Sequence, residues 1–457
     1  MASFTLEEVL KATDGKLLHP VHLSRAFTRV ETDTRTIDQG ALFVALKGEK
    51  FDGHDFAIKA FENGATGIVV QENRPEYNKE GLAVIIVADT LKAYQHLARF
   101  HRRRFRIPIV AVTGSVGKTT TRGMIAAVLE QKFRVLQTEK NFNNEIGLPR
   151  TLLQLTPEHD ACVVEMGMRG LGQIAELAAI AEPTIGVVTN VGKSHIELLG
   201  SQENIARAKS ELIQALPADG AAVLNQDDPF VAPMSDLCRG KVFGFGFGKN
   251  TVTVASRTSC DEKGIHFSCR CFDEVVEIHM PVIGKHNIYN ALAAVSVGRI
   301  LGVSLRQAQK GLAEYKGMAM RQELVYIGTY TFINDAYNAN PASMAEAIRS
   351  LAVLASGRKI AVLGDMLELG QWAQKEHEAI GAIAAENGID MVITLGELAR
   401  YIGQSAHDHG IAAVYAAQDH GDAAAYLKKV IQPGDTVLLK GSRGMAMEKL
   451  LPYFERK

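Results

Sequence analysis

IPIVAVTGSVGKTTTRGMIAAVLEQ, residues 107–131, is the stretch on which the fold turns. Its first seven residues form a continuous apolar run of strand length, a glycine turn follows, and apolar residues then recur at helical spacing. Strand, glycine turn and helix start, in that order, make a phosphate cradle. Gly114 and Gly117 let the backbone turn tightly around Ser115 and Val116 and aim N–H groups inward. Lys118 neutralises phosphate charge, Thr119 offers a hydroxyl to Mg²⁺, and Thr120 continues the first turn at the positive end of the helix. The widespread phosphate-loop pattern has Gly or Ala where Val112 stands, so this is a shorter variant. The strand TIGVVTN continues as VGKSH rather than as an Asn-Lys-x-Asp guanine reader, which argues against GTP and for ATP.

Outward from this loop the same alternation repeats. Strands are expected at ACVVEMG, TIGVVTN and AAVLN with helical segments between them, the pattern of a parallel sheet with crossover helices. Before the loop, ALFVAL, a helix near 54–63, TGIVV and LAVIIVAD make a small α/β unit, and a helix covers about 90–104. After it, residues 249–281 turn β-rich and alternating, an antiparallel excursion, and a helix covers 287–301. A second βα series begins near Met320 with YTFINDAY, RKIAVLGDM, DMVITLG and DTVLLKGS, each expected to lead into a helix, as in a doubly wound Rossmann-like domain. The expected fold class is therefore α/β with three domains, 1–88, 89–318 and 319–457. The full 457 residues are too many for one hydrophobic core.

Apolar residues make up 47% of the chain and charged residues 22%, an ordinary globular balance. A formal net charge of −1 gives no field to hold a nucleic acid, so phosphate binding must be local. The basic run HRRRFR, 101–106, reads as a solvated helix face. The five cysteines form no CxxC pair and imply neither a disulfide scaffold nor a zinc site. The N-terminus reads as an amphipathic helix without a basic leader, and no segment reaches 18 uninterrupted apolar residues. A cytoplasmic monomer without membrane insertion is the expectation.

Three further residues bear on chemistry. Glu165 ends the strand ACVVEMG, where a carboxylate could hold Mg²⁺; the bland alternative is an exposed strand-end acid. His195 lies just past the carboxyl end of TIGVVTN, where open sheets keep their sites. Lys209 sits in the mostly apolar helical segment IARAKSEL, and taken alone it reads as a snorkelling surface lysine.

TGSVGKTT, NFNNEIGLP, VVEMGMRGLGQI, TNVGKSHIELLGS, IARAKSEL, LNQDDP and IGKHNIYNALAA occur in an order that closely resembles the Mur ligases of bacterial cell-wall synthesis, over nearly the whole chain. TDTRTIDQGALFVALKGEKFDGHDF, NDAYNANPASM and VLGDMLELG resemble the branch of that family that joins D-alanyl-D-alanine to UDP-N-acetylmuramoyl-tripeptide. The resemblance implies that Thr34, Arg35 and Asp52, Gly53, His54 and Asp55 hold the uridine diphosphate part of the substrate. Thr34 stands where serine is more frequent, and Asn334 and Ala336 replace the usual Asp and Ser beside the Tyr-Asn-Ala-Asn-Pro motif. It also implies Asn287 and Asn290 at the adenine, Arg321 at the phosphates and Asp335 on the nucleotide. Asn144, Tyr337, Asn338, Asn340, Ser442 and Arg443 would line the other substrates. Mg²⁺ would be held by Thr119, Glu165, His195 and Lys209, the last as a carbamate formed with CO₂, which overturns the snorkelling reading; Lys118, His195 and Lys209 would be catalytic. The sister ligase that adds the third, diamino acid carries an Asp-Asn-Pro-Arg run absent here, and a small-molecule kinase with the same loop is the rival from another class.

Overall fold

The computed structural model describes residues 2–248, 251–261 and 263–455. It is an α/β protein whose contacts gather into two compact units, Met1–Ala111 with Phe133–Gly167 and Gln173–Thr184, and Val112–Lys132 with Met168–Gly172 and Ile185–Lys457.

In the first unit a five-stranded sheet runs in the order Lys16–Leu17, Ala83–Ile86, Gly67–Val70, Leu42–Val44, Val30–Glu31. All its pairs are parallel except the first. Phe43, Ile68, Val70 and Val84 close a core with Ala57 and Ala60 of the helix Ala57–Glu62. Continuous apolar strands of this kind are what burial on both faces of a parallel sheet selects. The helix Leu6–Thr13 opens on a capping box, in which Thr5 and Glu8 each bond the other's backbone N–H.

The basic run at 101–106 is only in part the solvated face expected from sequence, with Arg103, Arg104 and Arg106 exposed. His101 and Arg102 are buried, at the end of the helix Thr90–Arg102. The Arg102 guanidinium donates to the carbonyls of Ala181, Phe105 and Glu182, capping helix ends that would otherwise leave oxygens unpaired. Arg103 pairs with Glu182, and Arg104 pairs with Glu8 while lying over the Phe4 ring. His101 donates from Nε2 to Leu155 O, and its Nδ1 faces Arg104. Burial first, then the neighbouring positive charge, holds its pKa down at about 4.

A consequence in pH follows. The unfolded chain takes up this proton near pH 6.5 and the folded one only near pH 4, so His101 is neutral with no penalty above 6.5, and stability falls as pH drops through that window. From pH 7 to pH 5 the parent is expected to lose about 2 kcal/mol more than His101→Gln, read from urea unfolding at both pH values. Parallel pH dependence in the two proteins would refute the assignment.

The second unit contains a run of strands in the order Ile185–Val188, Ala221–Asn225, Lys241–Gly246, Thr253–Asp261, Gly264–Cys271, Glu274–Met280. It is parallel as far as Thr253–Asp261 and antiparallel beyond, as the alternating sequence requires. The strand Lys241–Gly246 escaped the sequence reading, since it begins with exposed Lys241 and Val242 and is two-thirds glycine and phenylalanine.

The same unit holds a six-stranded sheet, Glu323–Ile327, Tyr330–Asp335, Thr436–Lys440, Lys359–Gly364, Met391–Leu395, Ala413–Ala417. Only its first pair is antiparallel. Phe332, Ile360, Val362, Ile393, Val437 and Leu439 form its buried core. DTVLLKGS does not lead into an α-helix as expected. Two short 3₁₀ segments follow, Arg443–Met445 and Met447–Tyr453, and Pro452 lies inside the second. A proline there lacks the N–H that a continuing helix needs. Among the described residues no helix is long and apolar enough to cross a membrane.

Candidate active site

The phosphate loop leaves the strand Ile109–Thr113, all of it buried, and enters the helix Lys118–Leu129. Gly114 and Gly117 are fixed by space as well as by conformation. A Cβ on Gly114 would fall 1.9 Å from Thr189 Oγ1, and one on Gly117, whose φ is 85°, would fall 2.7 Å from Asn290 Oδ1. Residues beyond the next strand of this unit clamp the tip of the loop. Asn190 accepts from Val116 N at 2.9 Å and donates back to Val116 O at 2.9 Å, and its carbonyl accepts from Ser115 N at 3.0 Å. Ser115 Oγ in turn accepts from Gly192 N. The Ser115 and Val116 amides are thus engaged by residue 190, and an anion would be met at the start of the following helix, where first-turn N–H groups lack intrahelical carbonyl partners. Lys118 Nζ donates to Gly114 O at 2.9 Å, which keeps the ammonium over the loop.

Arg321 reaches this helix start. Its guanidinium donates to Thr119 Oγ1 at 3.4 Å and lies 3.9 Å from the Tyr337 ring centroid. Asn287 and Asn290, both buried on the helix His286–Ile300, bond to each other, and Asn290 also accepts from Thr121 Oγ1 at 2.9 Å. This pins the helix to the phosphate loop. Beside them a cavity of about 770 Å³ is lined by Val116, Gly117, Asn190, Asn225, Asp227, Lys285, Tyr289 and Asn290, with Phe247 edge-on to Tyr289. Its size suits a nucleoside-sized ligand. Asn290 faces the cavity, and Asn287 supports it from behind through Ile283 O.

His195 begins the short helix Ile196–Leu199 in a left-handed backbone conformation, φ 62°. Its Nδ1 lies 2.7 Å from Glu368 Oε2, off the line of an ideal hydrogen bond. Burial, Lys118 and Lys209 push its pKa down, and Glu368 opposes them. Lys209 is 2% exposed on the helix Gln202–Gln214, whose start Ser201 caps by accepting from Asn204 N. It does not snorkel. Burial and the charge of Lys118 drive its pKa well below that of an ordinary lysine, which favours a neutral, nucleophilic amine.

The motif 334–340 is anchored by contacts to Lys440 and to the segment just before His195. Asp335 is buried and takes Lys440 Nζ at 2.6 Å, and Lys440 also donates to Asn338 O at 3.1 Å. Asn340 caps the helix Pro341–Leu354 and donates to Ser194 Oγ at 2.7 Å, next to His195. Tyr337 carries Arg321, and Asn338 is exposed. Ser442 is buried and accepts from Leu367 N, whereas Arg443 is half-exposed and pairs with Glu448.

In the first unit, Glu165 ends the strand Ala161–Glu165 and is buried. Its Oε1 accepts from Asn143 Nδ2 at 2.7 Å, while Oε2 is buried and unpartnered. Asn144 is exposed and accepts from the N–H of Gly147, the first residue of the helix Gly147–Leu152. Asp52 caps the turn Gly53–Phe56, and His54 is locked inside it between Asp52 Oδ1 at 2.6 Å and Gln71 N at 2.9 Å. Asp55 pairs with Arg74. Thr34 and Arg35 lie in the turn Thr34–Thr36, with Arg35 exposed and forked onto Asp33.

Among the described residues no three His, Cys, Asp or Glu side chains form a ready-made cation site. Each unit taken by itself offers donor chemistry that Mg²⁺ accepts: the first an orphaned buried oxygen on Glu165, the second a buried lysine, Lys209, whose amine can become a carboxylate. Sequence reasoning missed Asn190, Lys440 and Glu368, though TNVGKSH, DTVLLKGS and VLGDMLELG had each been singled out.

Comparison with known proteins agrees with this geometry. Family models match residues 26–102 as the Mur ligase family catalytic domain, 112–298 as the Mur ligase middle domain, and 320–443 as the Mur ligase glutamate ligase domain. The UDP-N-acetylmuramoyl-tripeptide--D-alanyl-D-alanine ligase of Bacillus subtilis is 38% identical over 99% of this chain and 98% of its own. That of Synechocystis is 40% identical over 98% and 96%. Among solved structures, MurF from Acinetobacter baumannii superposes with a TM-score of 0.92 at 31% identity, covering 99% of this chain and 98% of that one. MurF of Thermotoga maritima in complex with ADP gives 0.83 at 29% identity over 93% and 96%. The chain belongs to the Mur ligase family.

Proposed function

We propose that this protein joins D-alanyl-D-alanine to UDP-N-acetylmuramoyl-tripeptide in an ATP-dependent reaction of peptidoglycan precursor synthesis. The observation that carries the reading is Lys209, whose pKa is depressed by its burial and, next, by the charge of the phosphate-loop lysine. The names of relatives aligned end to end supply the substrates. In the first step a carboxylate oxygen of the tripeptide attacks the γ-phosphorus of ATP, the bond to the bridging oxygen breaks and ADP leaves. Lys118, Arg321 and the N–H groups at the start of Lys118–Leu129 stabilise the charge on the transferring phosphoryl group. The dipeptide amine then attacks the acyl carbon, phosphate departs, and the nitrogen gives up a proton to leave an amide.

Thr119, Glu165, His195 and carbamylated Lys209 would hold Mg²⁺, which supplies positive charge to the phosphate oxygens. The carbamate forms when the neutral Lys209 amine adds to CO₂ and releases one proton. Thr34, Arg35 and the turn at 52–55 would take the uridine diphosphate. Asn290 and Asn287 would take the adenine side of the nucleotide. Asn144, Tyr337, Asn338, Asn340, Ser442 and Arg443 remain the candidates for the peptide portions, and Asp335 for the nucleotide. We assign the domains to 1–88, 89–318 and 319–457, and the protein to the cytoplasm as a monomer; light scattering is expected to give a single species of 49.6 kDa.

Phosphate release with ATP, UDP-N-acetylmuramoyl-tripeptide and either D-alanyl-D-alanine or a diamino acid tests the activity. Turnover is expected with the dipeptide alone. Turnover restricted to the diamino acid would assign the sister reaction, and ATP consumption without any amine would assign a kinase.

A further inference from the structure

The loop at 365–370 has no part in the steps above, yet it is tied down residue by residue. Asp365 Oδ1 accepts from Ala399 N at 2.7 Å, and Met366 N donates to Nε2 of fully buried His377 at 3.0 Å. Leu367 N donates to Ser442 Oγ at 2.9 Å. Glu368 follows in a left-handed conformation, φ 61°, which a residue with a side chain adopts only when its surroundings impose it. Its carboxylate is thereby delivered to His195, 2.7 Å from Nδ1, with Arg169 3.7 Å from its other oxygen. Two further contacts join the same parts of the chain, Lys193 to Glu376 at 2.6 Å and Asn340 to Ser194 at 2.7 Å.

We infer that Glu368 is a positioning residue for the metal site: it holds the His195 ring by Nδ1 and so fixes Nε2 as the nitrogen presented to the cation. This rests on the reading of His195 as a metal ligand. A ligating histidine whose second ring nitrogen is held by a carboxylate is oriented, kept in one tautomer and made a better donor. Here that carboxylate comes from the segment matched as the glutamate ligase domain and the histidine from the middle domain. A productive cation site therefore requires the two segments to be docked, so premature ATP hydrolysis is disfavoured when they part.

The test uses the full-length protein and three variants, Glu368→Gln, Glu376→Gln and His195→Ala, with Mn²⁺ as the probe in the presence of a non-hydrolysable ATP analogue. Glu368→Gln is expected to weaken Mn²⁺ binding by about 10- to 100-fold, and ¹⁵N-histidine NMR is expected to show the His195 tautomer preference altered. Glu376→Gln removes a neighbouring docking contact without touching His195 and should leave Mn²⁺ affinity within about twofold of the parent. Equal losses in the two Gln variants would reduce Glu368 to a docking contact and overturn the proposal. So would strong binding in Glu368→Gln together with lost binding in His195→Ala. Parent-like binding in His195→Ala would instead overturn the ligand reading, and the positioning role with it.

Discussion

Lys209→Ala is expected to lower D-alanyl-D-alanine-dependent phosphate release by on the order of 10²- to 10³-fold or more, the scale on which a lost stabiliser of transition-state charge is felt. Lys209 cannot act as a charged surface group, being 2% exposed, with burial and Lys118 both disfavouring its ammonium form. An unmodified amine there would be a poor partner for a cation. A carbamate on Lys209, as proposed, would reverse that sign, converting a buried base into a carboxylate among Lys118, His195 and the helix start. Two measurements separate this from simple damage to the fold. Formate or acetate added to the Ala variant should restore part of the activity by placing a carboxylate in the vacated space, and the unfolding transition should match that of the parent. Full activity in Lys209→Ala would refute the carbamate, and absence of any rescue in a correctly folded variant would count against it.

The second large effect is on stability. Lys440→Met is expected to cost about 3–5 kcal/mol, because it strands a buried carboxylate. Lys440 is 1% exposed at the end of the strand Thr436–Lys440, and Asp335, 6% exposed at the end of Tyr330–Asp335, is its ion-pair partner at 2.6 Å. The parallel register sets the two side by side, Asp335 opposite Lys440. Removing only the ammonium leaves Asp335 desolvated and also frees Asn338 O, so the turn that carries Tyr337 and Asn340 loosens. The double variant Asp335→Asn with Lys440→Met should recover a substantial part of the loss, since no uncompensated charge remains. Urea unfolding of both variants checks this, and a loss below about 1 kcal/mol for Lys440→Met would mean that the pair behaves as a solvent-screened surface contact.

The strand, turn and helix of the phosphate loop were legible because their determinants are contiguous, whereas the clamp from Asn190 was not. A buried strand, two glycines, a lysine, a threonine and a helical period all lie within residues 107–131, and local conformation suffices to assemble them. The α/β class and the antiparallel excursion were legible for the same reason, since apolar periodicity is a local signal. The strands Lys241–Gly246 and Ala413–Ala417 were not, because both are short, exposed along part of their length and stabilised by pairing rather than by pattern.

Through-space partners were beyond reach of the sequence alone. HRRRFR looked like a solvated face because neither the carbonyls of Ala181 and Glu182 nor the Glu182 carboxylate lies near it along the chain. His54 Nε2 accepts from Gln71 N, a partner 17 residues along the chain that the sequence does not mark. Residue type and spacing therefore determined phosphate binding, and the resemblance to Mur ligases implied the activation of a carboxylate. Tertiary structure alone decided the charge state and aim of the groups involved, since desolvation of Lys209 and the approach of Glu368 to His195 depend on which distant segments are packed together.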